Sequence, residues 1–177
     1  MALLAKVGSF AQATSTGNQQ VTGLGFAPEW IVFFGNSLTA DGSQVDSEFF
    51  FGAATSSTSR YVSGYLTDDG VTTTTVGCHQ TDALCIRTIS GAGTVLSAAD
   101  FVSMDANGFT VNWSTADATA RVVNYLALGG TDLTNSNNGS QVTSGSTGNV
   151  GYTPYSFQPK VLLLSNALHN TSFPLTS

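Results

Sequence analysis

Apolar positions along this chain either alternate with polar ones or fill short continuous runs, and they almost never recur at helical spacing. The runs are bounded by Gly, Asn, Asp and Ser, the pattern of short strands separated by tight turns. The clearest are Trp30 to Phe34, Glu48 to Ala53, Tyr61 to Leu66, Val71 to Val76, Leu84 to Ile89, Phe101 to Met104, Phe109 to Trp113 and Arg121 to Leu128. In 108-GFTVNWS-114, Phe109, Val111 and Trp113 share one face and Thr110 and Asn112 the other, which predicts a half-buried strand. The stretch 122-VVNYLAL-128 is apolar at nearly every position and predicts a central strand covered on both faces. Between them, 103-SMDANGFTV-111 reads as a tight hairpin whose Asn107-Gly108 would supply positive φ. Helix candidates are confined to a single turn at Ser97 to Asp100 and another at Thr115 to Ala120. The fold expected is all-β, an antiparallel, jelly-roll-like β-sandwich. Its candidate core residues are Phe26, Trp30, Phe109, Trp113 and Tyr125.

A repeat overlies this pattern. Residues 8-GSFAQATSTGNQQVTGLGFAPEWIVFFGN-36 align without a gap to 139-GSQVTSGSTGNVGYTPYSFQPKVLLLSNA-167, with nine of the 29 positions identical. Chance would give about two or three in so biased a composition. The run Trp30 to Phe33 maps onto Val161 to Leu164. The organisation expected is a β-sandwich module over residues 1–131, a connecting turn over 132–138, and the opening strands of a second, partial copy over 139–177. Such opening strands cannot bury their faces alone. They must pack on the first copy, join a neighbouring chain, or begin a module that longer sequence would complete.

Composition narrows the functional classes. Charged residues make up 9% of the chain, while 24 Thr, 21 Ser and 19 Gly together exceed a third of it. With 41% apolar residues and 11 Phe the chain can bury enough surface to fold, which excludes disorder. The net charge is −6 and there is no basic run, so nucleic acid and anionic membrane are poor partners. No apolar stretch reaches membrane-spanning length, and MALLAKVGSF is too short for a signal-peptide core. Synthesis in a cytosol follows. Surfaces rich in Ser and Thr and poor in Lys suit virion and cell-surface proteins.

Candidate chemistry is sparse. Cys78 and Cys85 in GCHQTDALCIR could form a disulfide, hold a metal with His79, or stay reduced with Cys85 buried; the last is favoured, since three ligands at this spacing make a poor metal site. The run 41-DGSQVDSE-48 could offer oxygens to Ca²⁺ but lacks EF-hand spacing, and turn-forming Asp explains it better. Asp68-Asp69-Gly70 reads as a hairpin turn. There is no Gly-x-Ser-x-Gly elbow, only two His for a triad, and only Glu29 and Glu48 as glutamates for a paired-carboxylate site. No catalytic residue, cofactor or metal is assigned. Three consecutive aromatics, Phe49, Phe50 and Phe51, cannot all face one side of a strand. At least one must be covered by something else, so these three and Leu162, Leu163 and Leu164 are the interface candidates.

The segments 17-GNQQVTGLGFAPEWIVFFGN-36, 108-GFTVNW-113 and 124-NYLALGGTDLTN-135 resemble a family of tailed-bacteriophage and prophage structural proteins built of duplicated β modules. The resemblance spans nearly the whole chain but rests on packing and turn motifs. It implies a non-enzymatic virion component, a capsid decoration, fibre or tail protein. Such a protein would be made in the host cytoplasm and would assemble with copies of itself, as a trimer or larger, and with other virion proteins. The alternative expected is a carbohydrate-binding adhesin module on a phage tail or cell surface, with a glycan ligand. A β-sandwich hydrolase is the least favoured reading.

Overall fold

A computed structural model of the chain describes residues 2–68, 75–141, 145–149, 151–152 and 155–166. Ten strands build it: β1 (Leu4–Ala11), β2 (Gly17–Thr22), β3 (Pro28–Gly35), β4 (Ser47–Ser56), β5 (Ser59–Asp68), β6 (Thr75–Thr81), β7 (Ile86–Ile89), β8 (Val95–Asp105), β9 (Gly108–Thr115) and β10 (Val122–Gly129). They form two wholly antiparallel sheets, one of six strands in the order β1-β10-β3-β4-β5-β6 and one of four in the order β2-β9-β8-β7. The all-β sandwich read from the sequence is the fold observed. Two meanders, β3 to β6 and β7 to β9, supply most of it. Strand β10 then returns to lie between β1 and β3, pairing Leu4 with Gly129 and Ala11 with Val122 on one side and Phe33 with Tyr125 on the other.

The core lies between the sheets and centres on Phe109. This β9 ring meets Phe10, Phe33 and Tyr125 of the opposite sheet at centroid distances of 5.9, 5.5 and 5.3 Å, all edge-on. That geometry sets the positive rim of one ring against the face of the next. Phe109, Val111 and Trp113 are fully enclosed, Tyr125 is nearly so, and Phe26 packs against this cluster while partly exposed. The indole of Trp113 donates to Gln19 Oε1 at 2.7 Å, which satisfies the one polar atom of a completely buried side chain.

Several sequence expectations are corrected. Ser97 to Asp100 is no helical turn but the middle of β8, hydrogen-bonded between β7 and β9. The helix preference of its two alanines yields to this pairing, for small side chains fit where the sheets approach. Thr115 ends β9 and 116–121 is a loop, closed by an Asp117–Arg121 ion pair of 2.9 Å. The β8–β9 hairpin is present, yet its turn residues are Ala106 and Asn107, and neither has positive φ. Gly108 is instead the first residue of β9, where a Cβ would overlap the Val21 carbonyl. Strands β1 and β2 were not foreseen. Strand β10 is interior, but only Val123, Tyr125, Ala127 and Gly129 are buried; their alternates are half-exposed. The expected turn at Asp69-Gly70 and the start of the Val71 to Val76 run lie outside the described residues.

Candidate functional site

Alternation along the central strands gives the six-stranded sheet a second apolar face. On β3, Ile31 and Phe33 point into the sandwich, so Trp30, Val32 and Phe34 point away from it. The register aligns Leu128 with Trp30, Leu126 and Ala53 with Val32, and Phe51 with Phe34, all on the outer side. Tyr61, Ser63 and Tyr65 of β5 and Cys78 and Val76 of β6 continue that side. In a two-layer sandwich such residues would meet water. Val32, Ala53 and Ser63 are nevertheless only 3%, 9% and 2% exposed.

The described residues that bond to this side belong to the C-terminal arm, within 133–141 and 155–166. Trp30 Nε1 donates to Asn138 Oδ1 at 3.0 Å, and Asn138 Nδ2 donates to the Ser59 carbonyl at 3.0 Å. Ser59 Oγ reaches Asn137, Ser136 Oγ reaches the Glu29 carbonyl, and the Ser63 and Ser165 hydroxyls meet at 2.9 Å. None of the arm's described residues stands in a strand. The arm is a partial third layer.

Its coverage stops short of one corner. Phe49 and Tyr65 stack at 6.1 Å and remain 40% and 45% exposed, with Val76 at 46%. Val161, Leu162, Leu163 and Leu164 are 74%, 56%, 47% and 84% exposed, immediately before the residue that touches Ser63. Phe49 lies on the outer side, and Leu162 to Leu164, far from it in the chain, directly precede the Ser165 that bonds to Ser63 of that side. Phe51 is half-buried there. Phe50 differs from the expectation for an interface residue: it alternates inward, is 1% exposed and sits in the core. Trp30, expected in the core, is half-buried on the outer face and bound to the arm.

The other chemical groups are held singly. Glu48 is buried between the sheets, its Oε1 accepting from the Ile89 amide at 2.8 Å; burial lifts its pKa, partly offset by that bond. His79 also faces inward, 8% exposed, with neither ring nitrogen partnered. Burial, then the nearby Arg87 charge, lowers it to about 4, so the ring is neutral at neutral pH. Asp105 lies low because Ser103, Thr110 and Gln20 all donate to it, which fastens the β8–β9 hairpin to β2. Cys78 and Cys85 are free; Cys78 is on the outer face, while Cys85 is enclosed and its thiol pushed well up by burial. Among the described residues no group of three His, Cys, Asp or Glu converges as metal ligands, and Asp41 only borders an open depression of about 210 Å³ beside Asn36 and Asn124. No described helix is long and apolar enough to cross a membrane. Compared with family models, curated proteins and solved structures, the chain matches none.

Proposed function

We propose that the protein is a non-enzymatic structural component of a tailed-phage virion, a capsid-decoration, fibre or tail protein that assembles with copies of itself. The observation that carries this reading is the apolar outer side of the six-stranded sheet, where Phe49, Tyr65, Val76 and Val161 to Leu164 stay exposed on a protein with few charges. Large apolar groups gathered on one side mark a surface that is covered in the working state. The family resemblance supplies the setting, and the Ser- and Thr-rich composition suits a particle surface.

Native mass spectrometry and electron microscopy of the purified protein test it. A stable trimer or larger assembly that binds phage particles lacking this protein is the expected result. A monomer that binds glycans on an array, with affinity lost in Tyr65→Ala, would replace this reading with the adhesin one, because an exposed Phe49–Tyr65 pair also suits a sugar face.

A further inference from the structure

The bonds described for Ser136, Asn137, Asn138 and Ser165 to the sandwich each pass through a side chain, in contrast to the continuous backbone ladders that hold the ten strands. The arm leaves β10 through Gly129 and Gly130; Gly130 holds φ at +93° and a Cβ there would collide with the Ala2 carbonyl, so the exit is one that glycine alone makes without strain. Every copy of the protein carries the same receiving groups: Trp30, the Ser59 carbonyl and hydroxyl, and the Ser63 hydroxyl. An arm from another copy would satisfy them as fully as the chain's own.

The arm also keeps the pattern of a strand-forming segment. Its repeat of Ser15-Thr16-Gly17-Asn18, the segment that leads into β2, is Ser146-Thr147-Gly148-Asn149, and the two glycines share an unusual backbone, φ +124° and +136°. Tyr152, Tyr155 and Phe157 stand at the positions of Val21, Leu24 and Phe26, which pack in or against the core of the sandwich. In the arm, lacking such a core, the three rings stack on one another at 5.2 and 5.6 Å. Val161 to Leu164, at the positions of Trp30 to Phe33, are left in water.

We infer that the arm is exchanged between copies. In the assembly, the arm of one copy lies over the six-stranded sheet of the next, with the Asn138–Trp30 and Ser165–Ser63 contacts made across the boundary. The occupant of the outer face is thus a second copy of this chain, and the run Val161 to Leu164 comes to lie between two sandwiches, where both shield it. This inference rests on the self-assembly reading above and gives it a geometry.

Cysteine cross-linking separates the two claims. In a Cys78→Ser background, Ser63→Cys and Ser165→Cys are made singly, with different tags, and co-expressed; a second pair, Ser59→Cys and Asn137→Cys, guards against a folding defect at the buried Ser63. After oxidation with oxidised glutathione, non-reducing gels and mass spectrometry read the products. Arm exchange requires a mixed-tag disulfide between the two single variants, and a ladder of multiples from each double variant. Double variants that close only within one chain, while the parent protein is oligomeric, overturn arm exchange and leave self-assembly standing. A parent protein that stays monomeric overturns both.

Discussion

Phe109 touches rings from three strands of the opposite sheet, so its removal opens a hole that no single neighbour can fill. Phe109→Ala is expected to cost about 3–5 kcal/mol in urea unfolding. Trp113→Ala should fall in the same range and also strip Gln19 Oε1 of its indole donor; a loss below about 1 kcal/mol at either position would contradict the packing described. His79 makes a different demand. Its pKa falls from 6.5 in the unfolded chain to about 4 in the fold, so between those values the unfolded chain takes up a proton that the native ring refuses. Stability contributed by the neutral ring is complete above pH 6.5 and declines as pH falls toward 4, by up to about 3 kcal/mol. Glu48 opposes it: a raised carboxyl pKa favours the fold below 4.5 and gives that advantage up as pH climbs through its native value. The His79→Leu variant should therefore lose less of its melting temperature between pH 7.5 and 5 than the parent does. An unchanged slope would place the acid sensitivity elsewhere.

Among the elements, those with clear alternation or an unbroken apolar run were legible: β3, β4, β5, β9 and β10 all appear close to where the pattern puts them. Strands β1 and β2 were not, because LAKVGSFA and GNQQVT carry few large apolar groups. Both are edge strands whose burial is light and whose pairing is mostly backbone. The β8 segment was misread for the opposite reason: its local preference is helical, and only partners distant in sequence make it a strand. Of the outer face, the three-phenylalanine argument required at least one outward ring without naming it; Phe49 and Phe51 point outward and Phe50 inward. Which of the three it would be depends on register, and register is invisible until neighbouring strands are known. Close backbone approaches leave a sharper test. A Cβ at Gly108 would collide with the Val21 carbonyl, where β9 pairs with β2, whereas one at Gly42 would meet open space. Gly108→Ala is expected to destabilise by about 1–3 kcal/mol in a thermal scan, with Gly42→Ala near neutral as its control.

At the scale of the molecule, the arm and the sandwich are separable in energetic terms. The ten strands share one core, while the arm touches them from outside and has no strand of its own among the described residues. Deleting residues 139–177 should leave the far-UV β spectrum intact and increase binding of a hydrophobic dye, as Val32, Ala53 and Ser63 lose cover. The same deletion should lower the native mass or the solubility; truncated protein that assembles as well as the parent would show the arm to be only a connector. The internal repeat was visible in the sequence, but where its second copy would lie was not, since a repeat specifies pattern and says nothing about which sheet receives it. The pairing of β1 with β10 has a consequence for the order of events during synthesis. The first strand made can find its partner only after residues up to Gly129 have emerged, so the six-stranded sheet closes late and by its most non-local contact. Everything beyond Gly130 leaves the ribosome after that. Each newborn sandwich therefore passes through an interval with its outer face bare and its own arm not yet delivered.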